Sequence, residues 1–207
     1  MILLALNRSQ SVRWQDFDIN RDVRSGLKHQ RAVCIWLTGL SGAGKSTLAN
    51  LLERHLVSLG KHPYVLDGDN IRHGLNRDLG FKEEDRVENI RRVAEVAHLM
   101  VDAGLIVIVA LISPYRADRQ TARQLFRDGG VYEVFVDTNL EVCEQRDVKG
   151  LDAKARSGII PDFTGISARY ETPEHPEITV HAGDESPDEC VEKILVVILN
   201  AQGNDGS

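Results

Sequence analysis

The run Gly39-Leu40-Ser41-Gly42-Ala43-Gly44-Lys45-Ser46-Thr47 limits what this chain can fold into more than any other stretch, because it fits G-x-x-x-x-G-K-[ST] without a mismatch. Ala32-Val33-Cys34-Ile35-Trp36-Leu37-Thr38 before it is short, apolar and β-prone, and Leu48-Ala49-Asn50-Leu51-Leu52-Glu53-Arg54-His55-Leu56 after it has helical spacing. The order is therefore strand, glycine-rich loop, helix. Glycines let the backbone turn back so that successive N–H groups face one concavity, and the helix N-terminus adds partial positive charge to the same place. Phosphate is the natural guest. Lys45 is expected at the β- and γ-phosphates of a nucleotide, with the Ser46 hydroxyl on a Mg²⁺ ion that bridges them.

With 207 residues the chain suits one domain. Its apolar share of 42% and charged share of 27% are ordinary for a water-soluble protein, and no apolar run reaches the ~20 residues of a membrane span. The opening Met1-Ile2-Leu3-Leu4-Ala5-Leu6 lacks a basic start and is short for a secretion signal. The three cysteines, Cys34, Cys143 and Cys190, are far apart and unpaired in spacing, which fits reduced thiols in the cytoplasm. A net charge of −6 gives no general pull toward nucleic acid or anionic membrane, so neither is expected as a partner.

Residues 1–30 read as a lead-in segment pinned by Trp14, and 31–200 as the folded domain. The helix after the loop should end near Gly60, and His62-Pro63-Tyr64-Val65-Leu66 is a second strand with Asp67-Gly68-Asp69-Asn70 as the loop at its end. Val87, Ile90, Ala94, Ala97 and Val101 recur at helical steps, which predicts a long helix from Glu83 to Ala103 stopped by Gly104. The apolar run from Leu105 to Ile112 predicts a strand buried on both faces. Ser113-Pro114 then reads as the cap and first position of a helix to Gly129-Gly130. Val131 to Val136 is another strand, and Thr138 with Glu141 a capping box. Residues 146–176 mix Lys, Arg, Gly and Pro and read as a mobile lid. A strand from Glu177 to His181 and a helix opened by Ser186-Pro187, running to about Leu199, complete the domain, with 202–207 a disordered tail. Alternating strands and helices of this kind predict a three-layer α/β nucleotide-binding fold, mostly parallel, with helices on both faces of the sheet.

In such sheets ligands sit beyond the carboxyl ends of the strands. Three loops meet there: the glycine-rich loop, Asp67-Gly68-Asp69, and Ser113-Pro114-Tyr115-Arg116. Asp67 is the candidate metal carboxylate. Asp69 is placed to orient an acceptor hydroxyl and take its proton. The alternative, that either only ties down the loop or caps Asn70-Ile71-Arg72, is open to both. Arg72, Arg86 and Arg116, with Asn89 one turn after Arg86, suggest a second anionic group, because guanidinium forks match phosphate or sulfate oxygens.

Five strings in order resemble one family. They are Trp36 to Thr47, Leu66-Asp67-Gly68-Asp69-Asn70-Ile71-Arg72-His73-Gly74-Leu75-Asn76, Glu88-Asn89-Ile90-Arg91-Arg92, Ile112-Ser113-Pro114-Tyr115-Arg116 and Asp162-Phe163-Thr164-Gly165-Ile166. Together they are similar to the adenylylsulfate kinases. The resemblance implies a P-loop kinase that uses Mg-ATP to phosphorylate the 3′-hydroxyl of adenosine 5′-phosphosulfate, and that works as a homodimer. It implies that Gly39 through Thr47, with Arg146 and Lys149, hold ATP, and that Asp69 stands at the 3′-hydroxyl. Arg72, Arg86 and Asn89 would hold the phosphosulfate, Ile112 and Ser113 would line the acceptor, and Phe81 and Phe163 would sandwich its adenine. Ser113 matches a position described in the family as a phosphoserine intermediate, although a capping role accounts for it equally. A kinase for another hydroxylated metabolite such as a sugar acid is the rival, and an aromatic clamp would be wasted on such an acceptor.

Overall fold

In a computed structural model the described residues are 13, 15, 17–126, 129–146, 150, 155–157 and 163–203. The expectations placed on Trp14, Lys149, most of 146–162 and 204–207 lie outside them. Five parallel strands form the sheet: β1 (Cys34–Thr38), β2 (Pro63–Asp67), β3 (Ile106–Ala110), β4 (Val131–Asp137) and β5 (Ile178–His181), in the order β2-β3-β1-β4-β5. Among the described residues these helices accompany them: α1 (Arg21–Gly26), α2 (Lys45–Ser58), α3 (Gly68–Arg72), α4 (Glu83–Asp102), α5 (Arg116–Arg123), α6 (Leu140–Gln145) and α7 (Pro187–Gly203). No helix among the described residues is long and apolar enough to cross a membrane.

The period of two along each inner strand divides the core between the faces of the sheet. Val33, Ile35, Leu37, Ile106 and Ile108 point to one face, where Leu48, Leu52 and Leu56 of α2 and Val191, Ile194 and Ile198 of α7 cover them. Cys34, Trp36, Val107 and Val109 point to the other, under Ile90, Val93, Ala94, Ala97 and Val101 of α4 and Ala122 of α5. Both β1 and β3 are therefore buried throughout. Pro63 opens β2, an edge strand, where its missing N–H does no harm.

β1 and β3 lie side by side, with Leu37 opposite Ala110, but the chain leaving β1 enters α2 on one face while the chain leaving β3 enters α5 on the other. Their carboxyl ends diverge and leave a crevice between them. The site sits in it.

Several local expectations are corrected. Asp67-Gly68-Asp69-Asn70 is not a loop but the start of α3, with Asp67 as its N-cap. The buried stripe of α4 includes Val93 and leaves Val87 41% exposed, because burial along the helix begins only at Asn89 and Ile90. Ser113-Pro114 does not open a helix: α5 starts at Arg116 after an uncapped Tyr115, since the Ser113 hydroxyl is engaged elsewhere. The capping box at Thr138 does not form either. Asn139 precedes α6, and the Thr138 hydroxyl donates to the Ala43 carbonyl at 3.1 Å. Ser186 does cap α7, exchanging bonds with Glu189 at 2.8 and 3.3 Å. That helix continues through Gln202 and Gly203, where a disordered tail was expected. The lead-in hides a short helix, α1, tied to the end of α4 by Arg24 and Asp102.

Truncating a fully enclosed side chain removes both its transfer energy and its packing. Leu52→Ala should lower the unfolding free energy by about 2–5 kcal/mol in urea titrations. Leu59→Ala, at a position 52% exposed, should change it by less than about 0.5 kcal/mol.

Candidate active site

The chain leaves β1 at Thr38 and turns back through residues that admit no side chain. Gly39 has φ +151°, and a Cβ there would meet the Val136 carbonyl oxygen at 2.6 Å. Gly42 has φ +72°, and its Cβ would meet the Cys143 carbonyl oxygen at 2.7 Å. The loop is thus pressed against β4 and α6, and Gly44, left-handed at φ +104°, leads into α2 without a side-chain cap. An α-helix that opens without a side-chain cap presents its N-terminal end, with its partial positive charge, to whatever anion the loop holds. Lys45 is buried and folds back over its own loop, donating to the Gly39 carbonyl at 2.9 Å and to the Leu40 carbonyl.

Across the crevice, the Asp67 carboxylate has two jobs. One oxygen accepts from the Asp69 and Asn70 N–H groups at 3.0 and 3.5 Å, capping α3. The other accepts from the Ser46 hydroxyl at 2.6 Å. The cap and the candidate metal ligand are therefore the same residue, and Asp69 is carried on the first turn of α3.

The arginines come next. Arg72, at the end of α3, donates to the Leu79 and Gly80 carbonyls, and its guanidinium lies 4.6 Å from the centre of the Phe81 ring. Burial, and then the nearby Arg86 cation, lower its pKa from the usual arginine value. Arg86 donates to the Phe81 carbonyl at 2.9 Å and to the Thr164 hydroxyl at 2.6 Å. Phe81 is 65% exposed, with its ring accessible from the cleft it lines. Asn89 is buried one turn on and accepts from Asn76 at 3.0 Å. Arg116 does not join this group. It turns to the Thr172 carbonyl and to Glu174, away from the crevice.

Ser113 has a left-handed backbone, φ +46°, and is 2% exposed. Its hydroxyl accepts from the Trp36 indole at 2.9 Å, and its carbonyl accepts from Arg119 at 2.6 Å. Arg119 also bonds Glu133 and the Glu171 carbonyl, each at 2.7 Å. The Tyr170 hydroxyl bonds Thr38 at 3.0 Å, and burial pushes the Tyr170 pKa up to about 12.

One cleft of about 840 Å³ takes in Ser41, Gly42, Gly44, Lys45, Ser46 and Thr47, with Asp67 and Asp69. It also takes in Arg72, Phe81, Arg86, Asn89, Ile112, Ser113, Arg146 and Phe163. Gly39, Leu40 and Ala43 shape the turn from behind without lining the cleft, and Lys149 is outside the described residues. Sequence reasoning gave no site role to Thr164, quoted within a matching string, to Pro187, quoted only as a helix start, or to Ala182 and Glu185, yet all four line the cleft. Arg146 donates to the Ala182 carbonyl at 2.7 Å, which places it over that end. Two oxygen donors side by side, Ser46 and Asp67, suit a hard cation such as Mg²⁺ that keeps most of its ligands from phosphate and water. No group of three His, Cys, Asp or Glu side chains among the described residues could hold a metal by itself.

The family model for adenylylsulphate kinase matches residues 31–181. The bifunctional enzyme NodQ of Rhizobium sp. (strain N33) is 57% identical over 194 residues, which cover 94% of this chain but 30% of that protein. This chain thus spans about 30% of the length of such bifunctional relatives. The adenylyl-sulfate kinase of Vibrio parahaemolyticus is 54% identical over 188 residues, covering 91% of this chain and 92% of that one. The structure of Mycobacterium tuberculosis APS kinase CysC in complex with AMPPNP and APS superimposes with a TM-score of 0.78 at 49% identity, covering 82% of this chain and 98% of that one.

Ser113→Ala would leave the buried Trp36 indole N–H without its acceptor. The variant should lose about 1–3 kcal/mol of unfolding free energy, read from tryptophan fluorescence in urea. An unchanged midpoint would mean that the bond contributes nothing.

Proposed function

The chain belongs to the adenylylsulphate kinase family, and from that premise we propose that it moves the γ-phosphoryl group of ATP to the 3′-hydroxyl of adenosine 5′-phosphosulfate, giving 3′-phosphoadenosine 5′-phosphosulfate. The observation that carries this reading is an unbroken line of contacts across one cleft. Ser46 touches Asp67, Asp67 holds the turn that bears Asp69, and three residues later Arg72 lies against Phe81. Phe81 and Thr164 are joined through Arg86, and Thr164 follows Phe163. A triphosphate end, a carboxylate and an aromatic, cationic end thus succeed one another. A volume of about 840 Å³ is large for one small metabolite and in keeping with two nucleotides.

Each residue then has a task. The glycine-loop N–H groups and the α2 N-terminus hold the ATP phosphates, and Lys45 exchanges its carbonyl partners for β- and γ-oxygens. Arg72, Arg86 and Asn89 grip the phosphosulfate, while Phe81 and Phe163 stack on its adenine, at ~1–3 kcal/mol per base. Asp69 orients the 3′-hydroxyl. As the new O–P bond forms and the bond from the γ-phosphorus to the β-γ bridging oxygen breaks, the hydroxyl proton passes to the Asp69 carboxylate. Ser46 and Asp67 would hold Mg²⁺, which supplies positive charge to the β- and γ-phosphates when bound. The Ser113 hydroxyl is already an acceptor for Trp36, which supports direct transfer over a phosphoserine relay. The apolar Phe17, Ile19, Val23 and Leu27, exposed on the N-terminal segment and α1, support assembly as a homodimer.

ADP release measured with adenosine 5′-phosphosulfate, gluconate, shikimate and no acceptor tests the reading, and turnover should require the sulfated nucleotide. Equal release without it would overturn the assignment. In the same assay Asp69→Asn should reduce kcat about 10²–10⁴-fold while the KM for ATP changes little. A matched loss in both would move Asp69 from the hydroxyl to the nucleotide.

A further inference from the structure

Asn76 lies in the turn between α3 and α4, is 0% exposed, and lines no part of the cleft. Its backbone is bound at both ends, donating to the Ile71 carbonyl and accepting from the Leu79 N–H. Its side-chain nitrogen donates to Asn89 Oδ1 at 3.0 Å, and its own Oδ1, equally buried, has no partner among the described residues. An orphaned amide oxygen in a closed interior is unfavourable, and an apolar residue of the same size would avoid it. What the amide supplies in return is one donor aimed at one atom.

That donor has a consequence for the cleft. Asn89 lines it, and a carboxamide has one accepting end and one donating end. With Oδ1 turned to Asn76, Nδ2 is the end left for the cleft. If the amide rotated by half a turn, an oxygen would face whatever anion Arg72 and Arg86 attract, and the attraction would become a repulsion. Asn76 itself is held in place from outside: Arg92 spans Glu88 on α4, at 2.8 Å, and Asp78 in the same turn, at 2.7 and 2.9 Å.

We propose that Asn76 is a positioning residue that fixes the Asn89 carboxamide with its NH₂ toward the cleft, so that Asn89 donates to an anionic oxygen of the phosphosulfate. This rests on the functional reading above. It adds a specificity determinant that never touches the ligand: Asn76 decides whether the cleft offers an anion a donor or an acceptor.

The test is steady-state kinetics with adenosine 5′-phosphosulfate and ATP on Asn76→Asp and Asn76→Leu, each checked for folding by thermal melting. A carboxylate at 76 cannot donate, so Asn89 must turn its NH₂ inward and its oxygen outward. For Asn76→Asp the KM for the sulfated nucleotide should rise about ten- to a hundredfold, with kcat and the KM for ATP within about twofold. Asn76→Leu frees the amide to take either orientation, and the rise should be several-fold and smaller. A purely structural role would instead lower the melting temperature and the active fraction, leaving that KM unmoved. In an Asn89→Ala background Asn76→Asp should add no further rise, because there is no amide left to turn. A full additional rise there would show that the introduced charge alone is responsible and would overturn the proposal. If Asn76→Asp fails to fold, an unchanged KM in Asn76→Leu overturns it as well. Absence of sulfonucleotide-dependent turnover in the unmodified protein would sink the functional reading itself. Normal turnover there with unmoved KM values in the variants would sink only this inference.

Discussion

The turn at the carboxyl end of β1 has to be made with no side chain on its inner side, and the rest of the molecule is fitted to that requirement. At Gly39 and Gly42 the nearest obstacles are backbone carbonyls of Val136 and Cys143, which cannot swing aside as a flexible side chain could. Any Cβ would have to displace β4 or α6. Because the turn is this tight, α2 begins directly after the loop, and its first residues, Lys45, Ser46 and Thr47, line the cleft. The crevice exists only because α2 and α5 go to opposite faces, and both faces are sealed by full cores, one under α2 and α7 and the other under α4 and α5. A phosphate site thus becomes a by-product of sheet topology once the loop is bare of side chains.

A second set of contacts fixes the far wall. Arg119 gathers the Ser113 carbonyl, the Glu171 carbonyl and Glu133, while Tyr170 reaches Thr38 at the end of β1. The Arg119–Glu133 pair is almost enclosed, with side-chain exposures of 5% and 15%. Replacing such a pair by apolar residues is often neutral or stabilising, so its net energy does not explain its presence. Its geometry does. Ser113 sits in a left-handed conformation that a non-glycine residue leaves unless held, and three bonds to Trp36, Arg119 and Thr38 hold it. The same guanidinium fastens the chain at Glu171, just after the segment that carries Phe163. The root of that segment and the floor of the cleft therefore share one anchor.

What the sequence revealed and what it concealed divide along physical lines. The strands and long helices were legible because burial imposes a period, and the glycine loop because its chemistry leaves few alternatives. Ser113 and Thr138 were misread for one shared reason. Each has the local pattern of a cap, and each hydroxyl is instead taken by a partner distant in the chain, Trp36 in one case and Ala43 in the other. Propensity knows only the nearest few residues. Arg116 resembles Arg72 and Arg86 in sequence and leaves them because Glu174 and the Thr172 carbonyl lie on its side of α5. Asn76 was quoted inside a motif without a role, since the bond that gives it one spans two separate elements.

The charged side chains of the cleft have partners within the protein, and the strength of those bonds decides how readily an anion would displace them. Lys45 holds neutral carbonyls of its own loop, whereas a phosphate oxygen is charged, and charge-assisted bonds are roughly twice as strong as neutral ones. A phosphate oxygen within reach of Lys45 would therefore be favoured over these carbonyls. At the other end, Arg72 and Arg86 lie close enough that the second lowers the pKa of the first, and no carboxylate offsets this more than the cation and burial oppose it. Asp69 and Asp85 offset part of this at Arg72, which also donates to the Leu79 and Gly80 carbonyls, while Arg86 donates to the Thr164 hydroxyl. An anionic group between the two guanidinium groups would weaken their mutual repulsion and add attraction to each.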